Sequence, residues 1–400
     1  MRGRAMRVTD PFPIPGRGGE PTHLIDWDAI ARTIVRDRLK IERNERVILC
    51  ADPYYGAAML DAVRGELQQA RAIELATILN WTPRLTTLRA ADGCKPDPED
   101  ARAEDEAMRD LFACADVYVW LQSDWRSKRS TYAIGQSEWV LAQWQGRGLH
   151  FHWFHDPQNP DPDAPVNKRL DLVYQKAVLD LDYAALARDM RTLAAAIVDR
   201  EVRVANPAGT DLAFRTEARA HVNDGNASRA KVADARSARD REAEIPCGAL
   251  RVLPVLDSVE GVMAFRGGYG WPIAGYGLDL DRFIGDGLSI VFEKGRVRRL
   301  ATRGDQKALD RAWAAESGDK DRLGEFVLGC NPLLTLVEGT GFRPYYGFGD
   351  GVVRLTLGEN IESGGRNRAS LHRWLFFTDA SVAAGGRTLV RDGAIVRPVA

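Results

Sequence analysis

The sequence predicts an α/β amino-terminal domain followed by a β-rich α+β carboxyl-terminal domain. Three observations carry that reading. From about residue 26 to 160, amphipathic helical stretches alternate with short apolar runs of strand length, the pattern of a largely parallel sheet covered by helices. After about residue 200 the apolar spacing changes to period two, with glycine and proline turns between short runs. A long amphipathic stretch, DYAALARDMRTLAAAIVDR, separates the two textures and reads as a connecting helix.

Taken in order, residues 1–24 are rich in Pro, Gly and Arg and are expected to form a flexible arm. The α/β domain is placed at 25–195. DWDAIARTIVRDRLKI spaces its apolar residues as a helix does, ERVILCAD is a buried strand, AAMLDAVRGELQQA a helix and AIELATIL a strand. EDEAMRDLFACA with DVYVWLQ, and SEWVLAQWQGRG with LHFHWFH, repeat the helix-then-strand order, and 156–165 reads as a proline loop. The β-rich domain is placed at 196–400. REVRVANPAGTDLAFRTEARAHV is a hairpin turning at Pro-Ala-Gly, ALRVLPVLDSVEGVMAF and LSIVFEKGRVRRLAT continue in strands, and GDQKALDRAWAAES is an interrupting helix.

Composition excludes several classes. The 400 residues are 45% apolar and 28% charged, with a net charge of −1 and both signs interspersed, so there is no electrostatic footprint for nucleic acid or an anionic membrane. No run reaches the length of a membrane span, and the first residues lack the apolar core of a secretory signal. The five cysteines have no CxxC spacing and are odd in number, which argues against a disulfide framework or thiolate zinc site and favours the cytoplasm.

Common chemical motifs are missing. There is no GxSxG elbow, and the glycine-rich stretches GGYGWPIAGYG and GTGFRPYYGFGDG lack phosphate-loop spacing. Their aromatics, Tyr269, Trp271, Tyr276, Tyr345 and Tyr346, suit either the wall of a pocket for a flat ligand or ordinary packing at β-turns. LHFHWFHD puts His150 and His152 on one strand face, a spacing that can chelate a metal, beside His155. A strand end is also an ordinary place for an imidazole.

Two segments converge better. LGEFVLGCNP places Glu325 at the start of an apolar strand, where a carboxylate needs a partner, a cation or a proton. GENIESGGRNRASLHRWLFF places His372 immediately before another. GALRVLPVLDSVEGVMAF, LGEFVLGCNP and LGENIESGGRNRASLH resemble, in order and spacing, the aminopeptidase T type of metallopeptidases and the related 2,5-dihydroxypyridine 5,6-dioxygenases. The resemblance covers most of the chain from about residue 30 and is most specific in the last two hundred residues. It implies an aminopeptidase T-like architecture, a metal site in the carboxyl-terminal domain and a homodimer.

Carried across residue by residue, the metal-ligand set is incomplete. The glutamate of the peptidases' proline-glycine-glutamate motif falls at Ala249. The next ligand corresponds to Glu325, which is present. The peptidases' histidine falls at Arg354, and a serine position of the dioxygenase falls at Thr356. The closing His-x-Asp is His372 with Trp374 at the aspartate position. The resemblance therefore implies one divalent ion (Fe, Zn or Mn) on Glu325, His372 and a further donor such as Asp379, Glu359 or Glu362, or else no ion.

Without an ion, Arg354, Arg366, Arg368 and Arg373 supply positive charge for a carboxylate or phenolate, and Glu325 and His372 act as an acid/base pair. The expected function is hydrolysis of an amide or related bond in a small aromatic or carboxylate-bearing molecule. Glu325, His372 and Tyr346 would be catalytic, and Arg354, Thr356, Arg366, Arg368 and Trp374 would bind substrate. The alternatives are an iron-dependent ring-cleaving dioxygenase of a dihydroxy aromatic and a non-catalytic member that binds a ligand or partner.

Overall fold

The computed structural model describes residues 25–51, 57–79, 106, 107, 109–122, 143–153, 164–266, 275–337 and 347–397. The expected arm, His155, and the loop aromatics Tyr269, Trp271, Tyr345 and Tyr346 lie outside them, as does the side chain of Tyr276.

Five strands form a wholly parallel sheet in the order β2-β1-β3-β4-β7. They are β1 Arg46–Ala51, β2 Ile73–Leu79, β3 Val117–Gln122, β4 Arg147–His152 and β7 Glu242–Ile245. Four match the apolar runs read from the sequence. β1 and β4 are buried almost throughout, as continuous apolar strands in a covered parallel sheet must be. The helix Trp27–Arg32, continued as a π-helical turn to Arg38, and the helix Ala57–Gln69 pack together beside this sheet. The loop expected at 156–165 lies almost wholly outside the described residues, and a helix that the sequence reading does not include runs Pro165–Leu179. Its proline occupies the first turn, where a missing N–H costs nothing, so what reads as a breaker is a helix start.

β7 crosses the boundary drawn at residue 196, since it completes the first sheet from within the second half of the chain. Before it come the hairpin strands β5 Glu201–Ala205 and β6 Asp211–Asn223; after it comes β8 Ala249–Pro254. Only residues 246–248 separate β7, in the parallel sheet, from β8, in the antiparallel one. Gly248 makes this turn at φ +125°, and a Cβ there would lie 2.7 Å from that of Asn331. The chain thus passes from one sheet to the other within three residues.

Among the described residues the second sheet has thirteen strands. Its central run is β6, β8, β13 Leu323–Gly329, β14 Val353–Gly358 and β15 His372–Phe377, all antiparallel. Alternation gives the run two different faces. Val252, Phe326, Leu355 and Leu375 stand in register on one and are buried in the main core. On the other, His221, Arg251, Val327, Arg354 and Phe376 form one row across five strands, and Glu325, Thr356 and Trp374 form the next. Every residue of β13 and β14 is buried, so the charged face is covered too. The helix Gln306–Ala315 is the interrupting one expected from the sequence, capped by Asp305 accepting from Ala308 N at 2.8 Å.

Candidate active site

Glu325 and His372 do share this charged face. His372 lies two residues from Trp374, which stands in the same cross-strand row as Glu325. The electrostatic influence of each reaches the other, lowering the Glu325 pKa and raising that of His372. Each nevertheless has other partners. Glu325 Oε2 lies 3.1 Å from Arg354 Nη2, both side chains being 2% exposed, and Oε1 accepts from Ser363 Oγ. Burial works to raise the Glu325 carboxyl, but the guanidinium groups of Arg251, Arg354 and Arg239 outweigh it and hold it at about 2. Arg354 is itself pushed down to about 10 by burial and by Arg251, which still leaves it charged at neutral pH.

His372 is held at both ring nitrogens. Nδ1 lies 2.8 Å from the Glu359 carbonyl oxygen, and Nε2 accepts from Trp374 Nε1 at 2.6 Å. These partners select the neutral tautomer with the proton on Nδ1. Burial pushes the ring down to about 4. Trp374 also stacks on Arg354, whose Cζ lies 4.7 Å from the indole centroid. Thr356 is fully buried, and its Oγ1 has no hydrogen-bond partner.

The other expected binders lie elsewhere. Arg366 and Arg368 are exposed on the connection before β15, outside the buried face. Arg373 points to the opposite side, paired with Asp279 at 3.1 Å and Asp281 at 2.8 Å. Asp379 accepts from Asn206. Tyr346 lies outside the described residues.

Arg239, Glu242, Glu244 and Arg251 escaped the sequence reading. Because β7 ends three residues before β8, Glu242 and Glu244 are carried against the charged face. Glu244 pairs with Arg251, and Arg239 pairs with Glu242, with Glu244 at 3.6 Å and with Glu362. Four carboxylates thus interlock with Arg239, Arg251 and Arg354. Burial, reinforced by Glu244 and, for Glu362, by Glu242, pushes both Glu242 and Glu362 up to about 7 against the pull of Arg239. Glu244 is held well below the usual range by Arg251 and Arg239, despite burial. His150 and His152 line the neighbouring strand: His150 Nε2 is 3.2 Å from Glu242 Oε2, and both rings meet Trp120 edge-on. Burial pushes His150 down to about 4 and His152 well below its ordinary value. The available signal was EAEI, two glutamates at alternate positions in an otherwise strand-like segment.

No family model and no curated protein matches this sequence. Several solved structures match its fold, among them two that cover 93% of this chain. 2,5-Dihydroxypyridine dioxygenase from Pseudomonas putida KT2440 superposes with a TM-score of 0.62 at 15% identity, covering 93% of this chain and 97% of that one. Wild-type AmpT, aminopeptidase T, from Thermus thermophilus superposes with a TM-score of 0.60 at 14% identity, covering 93% and 99%. This chain has the aminopeptidase T-like fold. The architecture implied by the sequence resemblance is therefore present: a parallel-sheet α/β region and a large antiparallel sheet.

On the aminopeptidase T-like fold, the residues at the expected metal position do not fit a divalent ion. A ligating imidazole needs a free nitrogen lone pair, and the Nε2 lone pair of His372 is taken by Trp374 while Nδ1 carries the proton. Arg354 occupies Glu325, and Ala249, buried on β8, has no donor atom. Among the described residues no three His, Cys, Asp or Glu side chains gather as metal ligands would. The metal roles expected of Glu325 and His372 are replaced by an internal network. Their acid/base roles are not supported either, since His372 has no free nitrogen and a carboxyl at about 2 is a poor base near neutrality.

Beside this network a shallow cleft with about 90 Å³ of internal space, open to solvent on one side, is lined by Arg219, His221, Arg236, Asp240, Arg251 and Glu325 among others. Arg251 is 2% exposed, and its Nε and Nη1 have no hydrogen-bond partners. Arg236, exposed in the lining, forms no ion pair among the described residues.

Proposed function

We propose that this chain is a hydrolase of an amide or related bond in a small carboxylate-bearing molecule, which the cleft beside Glu325 holds without a metal ion at the family position. The observation that carries this reading is Arg251: a buried guanidinium with two N–H groups unsatisfied demands an acceptor, and a carboxylate or a carbonyl oxygen gaining charge meets that demand. Glu325, kept ionised beside it, balances the charge of the arginines. Arg251 takes the charge-stabilising part first expected of Arg354, because Arg354 is already shared between Glu325 and Trp374.

The test is hydrolysis of hippurate, an aromatic amide with a carboxylate, and of a panel of N-acyl amino acids, followed by amine release. Protein treated with EDTA should retain full activity. Activity that vanishes with EDTA and returns with zinc or manganese would overturn the metal-free reading. Oxygen uptake with a dihydroxy aromatic, dependent on ferrous iron, would replace hydrolysis by ring cleavage.

A non-catalytic binding role is the second reading, supported by the closed hydrogen bonding of His372; benzoate binding with no turnover of any amide would establish it. Residence in the cytoplasm is part of the proposal, supported by the free thiols Cys114, Cys247 and Cys330. No helix among the described residues is long and apolar enough to cross a membrane. A homodimer is proposed on the resemblance alone.

A further inference from the structure

The cleft contains a second pair of side chains that the family pattern does not supply. His221 on β6 stands directly across from Arg251 on β8. Its Nδ1 lies 3.2 Å from Asp240 Oδ1. Asp240 is fixed in turn: Oδ2 accepts from the backbone N–H groups of Arg236 and Ser237 and from Ser237 Oγ, each at 2.9 Å, and pairs with Arg219. Partial burial works to raise the Asp240 carboxyl, but His221 first, then the Arg236 N–H and Arg219, hold it well below the usual carboxylate range, so it is an acceptor at any working pH. An acceptor at Nδ1 places the imidazole proton there and leaves the lone pair on Nε2. Nε2 is buried without a hydrogen-bond partner. His221, 13% exposed at its side chain, is kept neutral because burial and the nearby Arg251 and Arg239 outweigh Asp240.

The geometry points to His221 as the general base of this site, positioned by Asp240, with Arg251 as the group that receives the carbonyl oxygen. The inference rests on the hydrolase reading and names the residues that perform it. In the step, a water gives its proton to His221 Nε2 while its oxygen bonds to the amide carbon. The carbonyl π electrons move to oxygen, facing Arg251. The C–N bond then breaks as the proton passes from His221 to the departing nitrogen, releasing a carboxylic acid and an amine. No oxidant or further reactant is needed. Asp240 changes no bond; it holds the tautomer and steadies the transient imidazolium.

The experiment combines histidine-side-chain NMR with hippurate kinetics on the full chain. With six histidines in the sequence the resonances are few enough to assign by substitution. His221 should show the Nδ1–H tautomer, and 10 mM benzoate should shift His221 and leave His372 in place. His221→Gln should lower kcat by about a hundredfold or more while KM stays within threefold. Asp240→Asn should lower kcat and shift the His221 tautomer, with Asp240→Glu restoring part of both. An Nε2–H tautomer in the wild type, or unchanged kcat in His221→Gln, would overturn the base assignment while leaving the hydrolase reading intact. A wild type that turns over no amide removes the hydrolase reading and the base role together. Thermal melts of each variant separate a folding defect from a lost base.

Discussion

The indole N–H of Trp374 donates to Nε2 of His372 across 2.6 Å, closing the lone pair that a metal or proton would use. The resemblance puts an aspartate at 374; the tryptophan found there converts the neighbouring histidine from a ligand into a structural acceptor. Trp374→Phe keeps the ring and removes the donor, so the neutral imidazole loses its stabilisation. The His372 pKa should climb from about 4 toward its ordinary value, read by NMR titration. A pKa that does not move would mean the indole contributes nothing to the closure.

The Glu325–Arg354 pair is buried on both sides. Removing one partner strands a charge in the interior, at a cost of about 3–5 kcal/mol. Glu325→Gln and Arg354→Met should each destabilise by that order in denaturant melts. The double variant should cost less than the sum of the two, because it leaves neither charge alone. Additive losses would show that the two side chains are energetically independent, contrary to a buried ion pair.

Glu362 gives the network a pH signature. Its carboxyl is raised from 4.5 to about 7 in the folded chain, so the folded state holds the proton more tightly than the unfolded one. The stability it contributes is full below pH 4.5 and is lost as pH rises through 7. Glu362→Gln mimics the protonated form at every pH. The variant should therefore gain on the wild type between pH 4.5 and 8, by up to about 3 kcal/mol at 1.36 kcal/mol per pKa unit. A gap that stays constant with pH would contradict the raised pKa.

The departures from the family's ligand set also define a reversal. Ala249→Glu, Arg354→His and Trp374→Asp together restore donors beside Glu325 and His372. After dialysis against zinc, this triple variant should retain about one equivalent or more, measured by mass spectrometry of the metal, while the wild type retains far less. Equal retention by both would show that the wild-type arrangement opens to an ion.

Much of this was legible in the chain. Continuous apolar runs such as VILC and VYVWL require burial on both faces, and so foretold a covered parallel sheet. Period-two runs foretold the antiparallel half. The site was half legible: a glutamate beginning an apolar strand cannot be buried unpartnered, and Glu325 has Arg354 and Ser363. Arg366 and Arg368 misled because nearness in sequence to His372 was read as nearness in space, and the loop that carries them turns outward.

What the sequence by itself determined is local: which segments are strands, which face of each is apolar, and which residue types fill the family's ligand positions. Tertiary structure alone decided the partners. Glu242 and Glu244 reach Arg239 and Arg251 because a three-residue turn swings β8 out of one sheet and into the other. Asp240 meets His221 because the chain folds back after β6. Hydrogen bonding and ion pairing act over a few ångströms whatever the separation along the chain, so no spacing in the sequence could announce which carboxylate each cation would meet.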